Sequence, residues 1–184
     1  MIKWRCTLCG ECCKRYVPLV LPEDVQHIQD SRKLPMSTFL TFYRSTDFEE
    51  PLDEADERFF KTGHGKLVMG LSRVELTSGE GACFFLKNNL CSIHAVRPFI
   101  CRQYPFEPQE RRNIRGPFKL MDNPCFGNHA QDEIVDEGPV RLNFQAFQQK
   151  QNEYLRKIKE WNDSPESGAK DIGDFLLFVG FQWS

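Results

Sequence analysis

The sequence predicts an α+β fold: a small single domain wrapped around a cysteine-rich metal site, with a helical extension at its carboxyl end. Three observations predict it. Eight of the 184 residues are cysteines, and four of these crowd into positions 6–13. Between residues 63 and 121, short apolar stretches alternate with turn residues, as in strands and hairpins. From residue 144 onward the apolar spacing changes to threes and fours, the period of a helix. The expected division is 1–130 for the cysteine-cluster domain and 131–184 for a helical extension packed on it.

Composition excludes several classes. The chain has 24 Lys and Arg against 26 Asp and Glu, a net charge of −2, so it lacks the overall basic charge of a nucleic-acid binder. With 40% hydrophobic and 27% charged residues, it has enough apolar side chain to fold. The longest apolar run, Phe175 to Val179, falls far short of the roughly 20 residues of a membrane-spanning helix. The opening MIKWRC contains no apolar leader, so the expected compartment is the cytoplasm. Four disulfides would not persist there. A chain of this length also forms a core without such staples. The cysteines therefore read as thiols gathered for metal.

Along the chain, Val25 and Ile28 mark a helix over 22–33, with Pro22 suited to its first turn. Pro35 stops it, and Ser37 is placed to cap a second short helix through Tyr43. Residues 47–57 hold seven acidic side chains and no Lys or Arg, the pattern of a solvated loop. After the Gly63-His64-Gly65 turn, Lys66 to Leu76 alternates like a strand. Residues 82–93 read as a hairpin around Lys87-Asn88-Asn89, because Asn tolerates the left-handed backbone of tight turns. Pro98 begins a helical turn containing Cys101, which Pro105 and Pro108 end, and Pro117 to Met121 reads as a further strand. In the tail, Phe144, Phe147, Gln151, Tyr154, Ile158 and Trp161 form one face of a helix of about six turns. Residues 164–168 break it before a short apolar segment, Ile172 to Phe181.

The chemistry lies in the cysteines. In CTLCGECC, Cys6, Cys9 and Cys12 form two overlapping C-x-x-C steps, and Cys13 follows at once. Two cysteines at that spacing wrap one metal in a tight turn, and Gly10 supplies the positive φ such turns use. Overlapping steps of this kind open the bacterial ferredoxin run, and they also suit zinc, so spacing does not choose the metal. Adjacent Cys12 and Cys13 diverge on either regular backbone, which makes them awkward partners on one ion. The remaining thiols, Cys83, Cys91, Cys101 and Cys125, are far apart in sequence and specify a folded site. Eight thiols equal two four-thiolate centres; one four-iron cluster with four non-ligating cysteines is the other arrangement. Arg97 and Arg102 flank Cys101 and are the candidates to offset the negative charge of the centre.

These residues closely resemble the YkgJ-type cysteine-cluster family, also called the CxxCxxCC zinc- or iron-chelating domain family, which includes flagellin N-methylase. The resemblance rests on CTLCGECC, on C-x7-C-S-I from Cys91 back to Cys83, on RPFICRQYPF and on Cys125. It spans about residues 4–128 and implies that all eight cysteines are metal ligands. Two positions depart from the pattern: His94 replaces an aromatic, and Phe126 replaces a proline. The resemblance also implies methyl transfer to protein lysines, with S-adenosylmethionine as cofactor and a protein as substrate or partner. Catalytic residues are not identified by it.

Two function classes follow. One is an iron–sulfur protein, catalytic or electron-carrying. The other is a zinc module that holds a surface for a partner without catalysis, since a saturated four-cysteine zinc has no open position. His94 and His129 lie close after cysteines and could each replace a thiolate, whereas His27 and His64 read as surface residues. A Cys91–His94 nucleophile is the weaker alternative to metal. The basic run Arg111-Arg112-Asn113-Ile114-Arg115 lacks the aromatic interleaving of a nucleic-acid platform. No dinucleotide or phosphate-loop motif occurs.

Overall fold

The computed structural model describes residues 2, 4, 6, 9–76, 79, 81–110, 113–121 and 134–181. Cys125, His129, Arg111 and Arg112 lie outside the described residues.

Helix α1 (Glu11–Arg15) is a single turn, followed by an extended segment that leads into α2 (Pro22–Arg32). Pro22 opens α2, and the Asp24 carboxylate accepts from the Leu21 N–H at 3.1 Å, so the expected start at residue 22 is the one observed. Val25 and Ile28 are fully buried. The expected helix from Ser37 to Tyr43 is not formed. Ser37 sits in one 3-10 turn, Met36–Thr38, and the chain continues as strand β1 (Leu40–Tyr43). Thr41, Phe42 and Tyr43 are β-branched or aromatic and favour a pleated surface. Their partner strand decides the matter. A Cβ on Gly70 would lie 2.9 Å from the Tyr43 ring, so glycine there admits the ring, and the Tyr43 hydroxyl donates to the Leu71 carbonyl at 2.8 Å.

Strands β1, β2 (Phe60–Thr62) and β3 (Gly65–Leu71) make an antiparallel sheet in the order β1-β3-β2. The single strand expected over 66–76 is split at Ser72. Its N–H donates to the Phe39 carbonyl at 2.7 Å, and its carbonyl accepts from the Phe84 N–H at 2.8 Å. Beyond it, β4 (Arg73–Glu75) pairs with β5 (Gly81–Cys83), which places Arg73 opposite Cys83. The hairpin is shorter than 82–93: β6 (Leu86–Lys87) and β7 (Leu90–Cys91) flank Asn88 and Asn89, at φ 50° and 61°. Two successive left-handed residues match the twist of a tight hairpin. Then come α3 (Phe99–Gln103) and the pair β8 (Phe106–Pro108) and β9 (Phe118–Leu120), the latter within the strand expected at 117–121.

Helix α4 (Glu137–Asp163) starts where Asp136 accepts from the Gly138 N–H at 2.9 Å, and it buries Tyr154, Ile158 and Trp161. Reciprocal bonds between Asp171 and Asp174, at 2.8 and 3.0 Å, cap α5 (Ile172–Val179). The main core joins α2, β3, α4 and α5. Phe60 stacks on Phe175 with ring centres 3.6 Å apart, and Trp161 meets Phe175 edge-on at 5.4 Å. Trp161 Nε1 donates to the Lys61 carbonyl at 2.7 Å, so its polar edge is satisfied within the core. A smaller cluster gathers Ile2, Phe106 and Phe118 against Phe144 of α4. Cys83 and Phe85 belong to the main core, with Cys13 and Cys91 packed on its edge, and this is where the core meets the thiol region. The acidic stretch 47–57 is an irregular, mostly exposed loop pinned by Phe48 and Leu52. Among the described residues no helix is long and apolar enough to cross a membrane.

Candidate metal centre

The thiols reach one place from four short elements. Cys12 and Cys13 ride on α1, Cys83 ends β5, Cys91 ends β7 and Cys101 lies in α3. Gly10 makes this convergence possible. It is buried at φ +76°, and a Cβ there would lie 2.8 Å from Leu86 Cδ1 and 2.9 Å from the Asn89 carbonyl oxygen. The loop ahead of α1 therefore sits directly on the hairpin turn, with no room for a side chain between them.

Cys13 is the hub. Its thiol makes hydrogen-bond contacts with Cys12, Cys83 and Cys91, and these contacts push its own pKa far up. The partners move the opposite way. The bond from Cys13 brings Cys12 down to about 7 and Cys91 to about 6, and it lowers Cys83 as well. Burial pushes Cys101 well above its ordinary value, and the nearby thiols of Cys83, Cys12 and Cys91 push it further. The Cys13 S–H cannot donate to three sulfurs at once. A metal cation can bond to all of them, and thiolates are the form that binds it. The donor set is soft sulfur, suited to zinc or to iron–sulfur clusters. All seven described cysteines are free thiols. Among the described residues, no three Cys, His, Asp or Glu side chains are spaced to hold an ion as they stand.

Of the two arginines singled out beside Cys101, the structure brings one to the thiols. Arg97 favours the ionised forms of Cys12 and Cys91 through its charge. Arg102 instead lies over the Phe99 ring at 4.4 Å and adds its charge to Asp24, with its Nε buried and unpaired. Two cations absent from the sequence reading also act here: Arg73 favours the Cys83 thiolate and Arg32 that of Cys91. Cys6 and Cys9 are partly exposed in the segment leading to α1.

None of the three described histidines acts on these thiols. His94 is exposed, its Nε2 meets Arg97, and burial of the ring followed by the Arg97 charge lowers its pKa. His27 lies on the exposed face of α2, and His64 in an exposed turn. Cys83 faces Arg73 across β4–β5, and Cys91 faces Leu86 across β6–β7, and both thiols contact Cys13.

The sequence model of the family described as "CxxCxxCC: Putative zinc- or iron-chelating domain" matches residues 5–126. A protein of Methanocaldococcus jannaschii, described as "Uncharacterized protein MJ0661", is 28% identical over 156 residues, covering 84% of this chain and 71% of that one. No solved structure matches.

Proposed function

The chain belongs to the CxxCxxCC zinc- or iron-chelating domain family, and we propose that its thiolates hold an iron–sulfur cluster that exchanges electrons with a protein partner. One observation carries the choice of cluster over a single zinc. Five described thiols interact with one another: Cys13 contacts Cys12, Cys83 and Cys91, and those three act on Cys101 through their charge. A structural zinc takes four ligands. Five close thiols, with Cys6, Cys9 and Cys125 still to be counted in the sequence, suit a polynuclear cluster or two centres better than one ion.

In this reading Cys12, Cys13, Cys83 and Cys91 would hold the cluster as thiolates, Cys13 giving up its proton to solvent. Arg97, Arg73 and Arg32 then offset the charge of the thiolates. A cluster ligated only by cysteine supplies electron transfer without an open coordination position. The partly exposed cysteines Cys12, Cys13 and Cys91 leave the centre near the surface, within reach of a partner. The seven described cysteines are free thiols, which fits a reducing compartment, and we read the cytoplasm as that compartment.

The methyl-transfer activity suggested by flagellin N-methylase needs a place for S-adenosylmethionine. Two clefts among the described residues lie beside Tyr154 and Lys157 and beside Arg44 and His64. Electron transfer, which a cluster ligated only by cysteine supplies, is the reading we put first. Metal and sulfide analysis of protein purified without oxygen tests it. Iron with inorganic sulfide, and a brown colour that bleaches on reduction, is the expected result. Colourless protein containing zinc alone would replace it with the structural module. Tight S-adenosylmethionine binding to the loaded protein would move methyl transfer to first place.

A further inference from the structure

Helix α1 carries two of the converging thiols on only five residues, and a helix this short does not hold itself together in water. It is held from both ends. At its amino end, Gly10 is seated on the hairpin turn. At its carboxyl end, the carbonyls that a helix leaves unpaired need donors, and Arg73 supplies them from β4. Its Nη2 donates to the Lys14 carbonyl at 2.5 Å, and its Nη1 to the Tyr16 carbonyl at 3.0 Å. The same Nη2 also donates to the Gly81 carbonyl of β5. The guanidinium lies against Gly81: a Cβ there would come within 3.1 Å of both Nε and Nη2. Arg73 is also the cross-strand neighbour of Cys83.

One guanidinium therefore joins the turn that carries Cys12 and Cys13 to the strand that carries Cys83. We infer that Arg73 is a positioning residue for the metal centre, setting the separation of these thiol sources through its three carbonyl bonds. The inference rests on the reading that these thiols hold metal. Its chemistry is specific to arginine. A planar fork with five N–H donors spans carbonyls on two segments, whereas a lysine ammonium has the same charge without the fork.

Cobalt(II) alone, added to the full-length chain without oxygen, is the probe, since thiolate ligation gives it a sulfur-to-metal absorption. Transfer of bound cobalt to a chelator is then timed for wild type, Arg73→Met and Arg73→Lys. Near-ultraviolet circular dichroism confirms that the aromatic core is intact in each. Arg73→Met should release cobalt about tenfold faster or more, the size seen when a partner supporting a metal ligand is lost. Arg73→Lys should stay closer to Arg73→Met than to wild type. Wild-type retention by Arg73→Lys would show that charge alone suffices and would overturn the inference, as would wild-type retention by Arg73→Met. Amide exchange over residues 10–16 of the metal-free chains separates this outcome from failure of the metal reading. Faster exchange in Arg73→Met keeps the clamp even if wild type shows no cobalt–thiolate absorption. Unchanged exchange together with no such absorption overturns both.

Discussion

The thiol region and the aromatic core are built on opposite terms. The core brings together a 27-residue helix, a three-stranded sheet and stacked rings, and its members bury large apolar side chains. The thiol region is assembled from two five-residue helices and strands of two or three residues. Its contacts are hydrogen bonds from single side chains, close glycine packing and sulfur against sulfur. Apolar burial is non-directional and persists without a ligand, whereas ionised thiolates held close together repel one another unless a cation offsets their charge. The contrast teaches that the two regions should depend on metal to different degrees although they share Cys83 and Phe85.

Metal removal should expose that difference most. Stripping the protein with a chelator, or replacing the hub by Cys13→Ser, should abolish stoichiometric metal binding and speed amide exchange in α1, β7 and α3. Exchange in β3 and the second half of α4 should remain slow. Simultaneous loss of protection in both regions would break the comparison. The converse variant is Phe175→Ala, which removes a fully buried ring stacked on Phe60. It should cost about 3–5 kcal/mol in denaturant unfolding of the loaded protein, while metal per folded molecule is unchanged.

Asp24 connects the regions. One oxygen accepts from the Leu21 N–H and the other from the Phe99 N–H at 2.9 Å, just ahead of Cys101. Asp24→Ala leaves both donors without their acceptor and should cost about 1–3 kcal/mol. Its pH dependence has a definite sign. Burial raises the Asp24 pKa above the ordinary 3.8, so at pH between the unfolded and folded values the native state holds a proton that the unfolded chain has released. Its contribution is full below the unfolded value and is lost as pH rises through the folded one. Unfolding of wild type measured against Asp24→Asn should show the difference declining as pH climbs above about 4. The smallest effect is expected at His64, which is exposed in its turn. His64→Ala should leave metal content unchanged and stability within about 0.5 kcal/mol.

The legible parts of the fold were those whose cause is local. Val25 and Ile28 gave α2 its period, the tail aromatics gave α4 its face, and the two asparagines marked the hairpin. Residues 37–43 were misread because Ser37 offers a genuine helix start, whereas the strand that forms there depends on Gly70 and Leu71 across the sheet. The thiol site shows the same division. Its cysteines stand out by type and spacing, and Arg97 by its nearness to Cys101. Arg73 escaped notice because the Lys14 carbonyl it bonds is 59 residues away, and carbonyl oxygens have no sequence signature. Arg102, although adjacent to Cys101, turns to an aromatic ring, since neighbouring helix positions point in different directions.

The seat beneath Gly10 imposes an order in time. The Asn88-Asn89 turn closes a contact between residues only a few positions apart, and such hairpins form within about 1–10 μs. The surface on which Gly10 rests does not exist until Leu86 and the Asn89 carbonyl are in place. Docking of α1 must therefore follow the hairpin and bridge some 75 intervening residues to reach it, a slower closure. The hairpin acts as a mould for the loop, and the same seat that receives Gly10 sets Cys13 against Cys91.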